Sequence, residues 1–401
     1  MTKSKNKDIF ISYAKTVYGQ EEIDAVVKCL NESTQMGKYS KKFEKKIAKL
    51  FDKKHCLYVN SGSSALYIGI EAFNFKKNSE VITPALTFST SVGCLVKNNL
   101  IPVFIDVEKN TFNINPDKIE EMVTDKTVAI LAPNLLGNIC RWEEIKLIAD
   151  KYDLKIIEDS ADTLGYSYKT SLDDWSDVST CSFYASHVVT GAGFGGIVSF
   201  KNLDDFNFAK SLRSWGRRSS KYDESEDFNR RFDCKVDGID YDDKYVFDDI
   251  GYNFIPSEIS AAFALVQINK LKINIENRKE NFKYLKKCLE GSKNFKTFTN
   301  SKNSSSGWLA FPILLQNALK EKRKDFQIYL EKSGIQTRTI FTGNILKQPV
   351  SEKFKWESFG CFDSSDEIMK NGVLLGCHNQ MTKEKMDYMI EKIFEAENCL
   401  K

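Results

Sequence analysis

Thr180-Cys181-Ser182-Phe183-Tyr184-Ala185-Ser186-His187-Val188-Val189-Thr190-Gly191-Ala192-Gly193-Phe194-Gly195-Gly196 is the stretch from which the rest of the chain is read. It begins as a β-branched and aromatic strand, reaches a single His, and turns through four glycines into a second apolar strand, Ile197 to Phe200. The chain has only three His. By itself the stretch suits a hydrogen-bonded structural His as well as a chemical one. Gly191 to Gly196 formally matches G-x-G-x-x-G, but a dinucleotide fingerprint follows the first strand and opens a helix. This one runs into a strand, so that reading is rejected.

Working outward, short apolar runs read as strands at His55–Asn60, Glu80–Pro84, Ile101–Val107, Val128–Ala132, Leu154–Glu158, Ser179–Tyr184 and Gly196–Phe200. Helical spacing marks 19–33, Lys41–Lys54, Ser63–Phe73, Thr87–Lys97, Pro116–Met122 and Trp142–Tyr152. Strands alternating with helices predict an α/β fold on a mostly parallel mixed sheet. In such sheets ligands sit beyond the carboxyl ends of the strands. Residues 218–249 are rich in charge and poor in period, and read as a long irregular loop over a site or against a partner subunit. Ser257 is placed to cap one long helix over 257–290. A smaller C-terminal α/β domain follows, with strand Gly307–Leu315, helix Leu319–Ser333, strand Gln336–Ile340 and helix Lys383–Asn398. The division expected is 1–256 for the large domain and 257–401 for the linking helix and smaller domain.

Composition narrows the class. The 401 residues, 42% hydrophobic, suffice for a large core. With 58 Lys+Arg against 55 Asp+Glu, no nucleic acid or acidic membrane surface is expected as partner. The lysines of Lys41–Lys54 read as a solvated helix face. Met1–Lys7 reads as a polar tail, no apolar run is long enough to span a bilayer, and the ten Cys show no metal-like spacing. Those observations suit reduced thiols in a cytoplasmic protein, with no metal.

The strand ends carry the chemistry. Asn60-Ser61-Gly62-Ser63-Ser64 opens a helix, which suits an anion site as well as plain capping. Phe88 follows the second strand, placed either to stack on a planar ligand or to fill the core. Asp159 follows Ile156-Ile157-Glu158, able to hold a cationic ring nitrogen or to cap the next segment. Ser182 and His187 close the sixth strand.

In that order these groups suit a pyridoxal-type cofactor. The chain resembles the sugar aminotransferase family of fold type I pyridoxal phosphate enzymes from about Tyr13 onward. The matching segments are Asn60–Leu66, Pro84–Phe88, Glu158–Asp162, Ser182–Tyr184 and Gly251-Tyr252-Asn253. The resemblance implies a large cofactor-binding domain. It places Gly62, Ser63, Ser64 and Ser182 at the cofactor phosphate, Phe88 on the ring, Asp159 at the pyridine nitrogen and Asp162 near the ring hydroxyl. Asn253 would reach the phosphate of a neighbouring subunit, which implies a homodimer with shared active sites. His378, Arg338 and Asn344 are expected at the substrate.

One departure redirects the function. Where the aminotransferases carry their Schiff-base lysine, this chain has His187. An imidazole cannot make that linkage, so the cofactor is expected to be held non-covalently, as pyridoxamine 5'-phosphate. The same change marks a branch of nucleotide-sugar 3-dehydratases. One type acts on GDP-4-keto-6-deoxymannose and is regenerated by glutamate. Another acts on CDP-4-keto-6-deoxyglucose and carries an iron–sulfur cluster. Segments 334–338, 341–344 and 376–379 resemble the first; 12–14, 17–18 and 213–217 resemble the second. Where the second has cluster cysteines, this chain has Ala161, Ser219 and Lys221, and Cys234 is isolated. A cluster needs several thiolates, so none is expected.

The expected activity is removal of the C3 hydroxyl from a nucleotide-linked 4-keto-6-deoxyhexose. Glutamate would be the amino donor, and the product a 4-keto-3,6-dideoxy sugar for surface polysaccharide such as lipopolysaccharide O-antigen. His187, with an unperturbed pKa near 6.5, would be base and then acid. Enzymes of the branch are expected to carry a second His before the catalytic one, where this chain has Ser186. The competing readings are an aminotransferase with a displaced lysine such as Lys221, and a non-catalytic dimer that kept the fold.

Overall fold

Seven apolar runs become the strands of one sheet because each is buried along its length and rich in Val, Ile and Thr. They are β1 (His55–Val59), β2 (Glu80–Pro84), β3 (Ile101–Ile105), β4 (Thr127–Pro133), β5 (Lys155–Asp159), β6 (Val178–Ser182) and β7 (Gly196–Phe200). The computed structural model describes residues 9–168, 174–222 and 226–401; the Met1–Lys7 tail lies outside them. Further along the chain come β8 (Phe295–Lys296), β9 (Phe311–Leu315), β10 (Glu357–Ser358) and β11 (Gly372–Leu375).

The large sheet runs β1-β7-β6-β5-β4-β2-β3-β10. Every pairing from β6 to β10 is parallel, while β7 is antiparallel to both β1 and β6. The expected α/β fold with a mostly parallel mixed sheet is therefore present. The tight glycine turn between β6 and β7 is what allows the antiparallel return. A smaller antiparallel sheet, β8-β9-β11, forms the second layer. Its apolar cluster around Trp308, Phe311 and Leu374 also takes in Ile11, Leu86, Leu135 and Leu136 from the first part of the chain.

Helices α1 (Gln20–Glu32), α2 (Lys38–Leu50), α3 (Gly62–Glu71), α4 (Ser89–Lys97), α5 (Trp142–Tyr152) and α6 (Leu203–Arg213) belong to the large layer. The helix expected over 257–290 is two, α7 (Glu258–Asn269) and α8 (Leu271–Leu289), because Lys270 turns back with an i−3 bond to Gln267. Ser257 does cap α7, accepting from Ser260 N at 3.4 Å. The strand expected at Gln336–Ile340 is absent. Within that segment only Arg338 bridges, to Leu374; Ile335 just before it bridges Ile11, and the neighbour of β9 is instead Gly372–Leu375. Pro116–Met122 forms two short 3-10 turns. The described part of 218–249 is irregular, with one short helix and a two-residue hairpin. No helix among the described residues is long and apolar enough to cross a membrane.

One buried acid joins α7 to the start of α2. Glu258 accepts from the backbone N–H groups of Gly37, Tyr39 and Ser40 and from Ser40 Oγ. It thereby satisfies amides that the helix itself leaves free. Glu258→Ala strands those buried donors and is expected to cost about 2–4 kcal/mol. The change would be read as a lower urea midpoint; an unchanged midpoint would contradict this account of α2.

Candidate active site

A cavity of about 820 Å³ opens where the carboxyl ends of β1, β2, β4, β5 and β6 meet segment 338–350. At one end the glycine-rich turn after β6 packs against the turn after β1. Gly195 N donates to Asn60 O at 3.0 Å. A Cβ on Gly196 would lie 2.1 Å from Ser61 O, and Gly195 has φ +119°. The glycines thus permit backbone contact, and that contact sets Ser182 against the N-terminus of α3. A Cβ on Gly62 would lie 2.6 Å from Ser182 Cβ. Ser61 Oγ accepts from Ser64 N at 3.1 Å and contacts Ser64 Oγ at 2.9 Å. Ser64 is therefore engaged in the cap, while Gly62, Ser63 and Ser182 line the cavity. Together they offer hydroxyls at a helix start, an arrangement suited to a phosphate.

Deeper in, Phe88 caps α4 and leaves 55% of its surface open. An aromatic ring that free in a cavity is available to a planar ligand. Asp159 is buried at the end of β5. Its Oδ2 accepts from Ser91 Oγ at 2.8 Å and its Oδ1 from Ala161 N at 3.1 Å. Burial raises its pKa, and the two hydrogen bonds only partly offset that. A protonated ring nitrogen would stabilise the carboxylate. The residues present therefore fit a phosphorylated pyridine: a close glycine–serine cradle, an open aromatic face and a desolvated carboxylate.

His187 follows β6 and lines the same cavity. Its Nδ1 is buried without a hydrogen-bond partner and stands 3.8 Å from Asp162 Oδ1. Burial drives the His187 pKa down to about 4; the Ala161 backbone opposes this and the Arg278 charge adds to it. The imidazole expected near 6.5 is instead held neutral, because desolvation penalises the cation. Burial pushes Asp162 the other way, up to about 7, with Leu136 N lowering it and Asp159 raising it.

The structure brings Gly62, Ser63, Phe88, Asp159, Asp162, Ser182, His187 and Arg338 to one cavity. Besides Ser64, three expected residues do not reach its wall. His378 is buried elsewhere, with Ser12 Oγ at 3.4 Å and Gln380 N at 3.3 Å from its ring nitrogens, and burial lowers its pKa to about 4. Asn344 caps a short turn and donates to Asp366 at 2.8 Å. Asn253 is exposed outside the cavity, bridged to Ser214. Sequence reading missed Tyr13, Ser91, Leu136 and Phe341. Tyr13 is held by Gln336 and lies under the Arg338 guanidinium, 5.6 Å from the ring centroid. Ser91 sits one turn into α4, so its tie to Asp159 had no signal beyond a Ser after Phe88.

Fold and cavity define an α/β enzyme of the pyridoxal phosphate-dependent transferase type. The chain belongs to the DegT/DnrJ/EryC1/StrS aminotransferase family, whose profile matches residues 17–394. The lipopolysaccharide biosynthesis protein RfbH of Salmonella typhimurium is 33% identical over 94% of this chain and 90% of its own length. The dTDP-4-dehydro-2,6-dideoxy-D-glucose 3-dehydratase of Saccharopolyspora spinosa is 32% identical over 90% and 80%. The GDP-4-keto-6-deoxy-D-mannose 3-dehydratase of Escherichia coli O55:H7 is 30% identical over 89% and 92%. Aminotransferases are related too: GDP-perosamine synthase of Escherichia coli O157:H7 is 27% identical over 96% and 97%.

The solved E. coli GDP-4-keto-6-deoxy-D-mannose-3-dehydratase with bound hydrated pyridoxal phosphate matches with TM-score 0.85 and 28% identity, covering 96% of this chain and 100% of that one. A dehydratase structure with the same activity holds a trapped adduct of pyridoxal phosphate and glutamate, with TM-score 0.84, 27% identity and coverage of 96% and 100%. A further structure is a dehydratase variant in which adjacent Ser and His are replaced by Asn and Lys, with TM-score 0.84, 28% identity and coverage of 94% and 99%. A Ser directly before a His therefore occurs in that enzyme, and Ser186 before His187 is not the departure expected from the sequence.

The two shifted groups give opposite pH signatures. Between pH 6.5 and 4 the unfolded chain protonates at His187 while the native chain does not, so this group lowers stability as pH falls. Between about pH 4 and 7 the native chain keeps the Asp162 proton that the unfolded chain has lost, so this group lowers stability as pH rises. In melting scans His187→Asn should flatten the acid side below pH 6.5. Asp162→Asn should raise Tm most at pH 7 and above, with the gain gone below about pH 4. Parallel curves for wild type and both variants would contradict these environments.

Proposed function

We propose that this protein is a pyridoxamine phosphate-dependent 3-dehydratase of a nucleotide-linked 4-keto-6-deoxyhexose, regenerated by glutamate without an iron–sulfur cluster. The observation that carries the reading is a neutral His187 on a cavity wall where, among the described residues, no lysine stands. Gly62, Ser63 and Ser182 would hold the cofactor phosphate, Phe88 would cover the ring, and Asp159 would keep the ring nitrogen protonated. When bound, the cofactor supplies an amine for the sugar ketone and a sink for the electrons that expel the C3 hydroxyl.

The chain's own part is proton handling and placement. His187, neutral at physiological pH, accepts a proton as base and returns it to the departing hydroxyl. Arg338, whose Nη1 donates to Thr337 O at 2.7 Å, offers its remaining donors to an anionic substrate or to the glutamate carboxylate. Tyr13 and Phe341 close the cavity beside it and limit water. The relatives that are 3-dehydratases support this reading, as does the neighbour that holds glutamate. The displaced-lysine alternative has less behind it: Lys221 pairs with Asp248 at 3.4 Å and is not part of the cavity wall. We also take 1–256 and 257–401 as the two domains and a homodimer as the working assembly, with Asn253 serving the neighbouring site.

Purified protein would be mixed with pyridoxamine phosphate, glutamate and a panel of GDP-, CDP-, UDP- and dTDP-4-keto-6-deoxyhexoses. The expected product has lost one oxygen, with ammonia released and no reductase present. His187→Asn should lower the rate at least about 10²-fold, the usual scale of acid–base catalysis, while still binding cofactor. A product with an amine in place of the ketone and all hydroxyls intact would refute the proposal.

A further inference from the structure

His187 Nδ1 is buried with no hydrogen-bond partner at normal distance, an arrangement that natural cores avoid, although the Ala161 backbone lies near enough to the ring to raise its pKa. Asp162 Oδ1 stands 3.8 Å from it, so a small side-chain rotation makes a hydrogen bond. A separate observation concerns the other oxygen of the same carboxyl. Asp162 Oδ2 accepts from Leu136 N at 2.9 Å. Leu136 reaches that position in the left-handed region, at φ 56° and ψ 16°, which a leucine rarely adopts. Strain of this kind persists only where surrounding structure enforces it, and it gathers at functional sites. One carboxyl oxygen is thus pinned by a strained backbone and the other is turned toward the imidazole.

We propose that Asp162 is a positioning residue for His187: its Oδ1 takes the Nδ1–H, fixes the tautomer, and leaves Nε2 as the atom that handles the proton in the cavity. This deepens the dehydratase reading and rests on it. In the proton step Nε2 would gain a proton from carbon while the other proton stays on Nδ1, hydrogen-bonded to Asp162, so the new positive charge faces a carboxylate. The same proton then leaves on the C3 hydroxyl, which departs as water. A carboxylate behind an imidazole does this work in other acid–base sites. The other charged or titratable groups around the pair are Asp159, from the same strand end, Arg278 from α8, Tyr13 from the N-terminal segment, and Tyr184, whose ring centroid is 6.3 Å from that of His187.

The test reads the imidazole directly. Cofactor-free protein labelled with ¹⁵N-histidine would be studied by two-bond ¹H–¹⁵N correlation at pH 7.5, with His187→Asn to assign the signal among three His. Wild type should show neutral His187 with its proton on Nδ1. Asp162→Asn keeps an oxygen for Leu136 N but turns an amide NH₂ toward the ring, and should move the proton to Nε2. Asp162→Ala should give a mixture of tautomers. In turnover, Asp162→Asn should lower kcat about 10²- to 10⁴-fold with little change in KM for the nucleotide sugar. A proton on Nε2 in wild type, or one tautomer common to wild type and both variants, would overturn the proposal, and the wild-type result stands even if a variant fails to fold. Should the tautomers shift as expected while no oxygen is lost from any sugar, the positioning stands and the dehydratase reading falls.

Discussion

Two consecutive carboxylates buried at the end of β5 set the terms for everything around them. Side chains alternate across a strand, so Glu158 and Asp159 point to opposite faces. Glu158 is satisfied in full behind the sheet, by Asn134, Ser160, Tyr166, Ser176 and Ser179. Asp159 has only Ser91 and the Ala161 amide. A buried charge is tolerated when it is paired or hydrogen-bonded. The face behind is closed by its own polar network, whereas the face in front asks for a cation from outside the chain. On the proposed reading, that difference would put the cofactor ring on one side of the sheet.

Asp162 extends the same logic by one turn. It is a third acid at the same strand end, and burial raises its pKa to about 7. Beside it, burial keeps His187 from being a cation. A lysine at this place would bring a permanent charge and a covalent tether. A histidine brings neither, and can take and give a proton without first leaving a cofactor.

The sequence made much of this legible, for a physical reason. In an open parallel sheet the strand ends converge, so residues a few positions past each apolar run must meet. Gly62, Phe88, Asp159, Ser182 and His187 were found that way and line one cavity. Contacts that cross between layers carry no such period. Tyr13, on the cavity wall, is tied to Gln336, 323 residues away, and Leu136 reaches Asp162 through an unusual backbone angle. His378 and Asn344 looked like site residues from their segments, yet their side chains are spent inside the smaller layer. The strand expected at 336–340 failed similarly, since pairing with Gly372–Leu375 could not be read from either run alone. The pKa of His187 was equally hidden, because burial is a property of the assembled cavity.

With an imidazole in place of the lysine tether, the proposed function requires that no covalent bond between chain and cofactor form in the resting site. The direct measurement is intact mass after loading with pyridoxal phosphate, treatment with borohydride and denaturation. The wild-type chain should stay unmodified, and His187→Lys should carry one cofactor per chain on residue 187. One equivalent of cofactor fixed to a single lysine of the wild-type chain would contradict it.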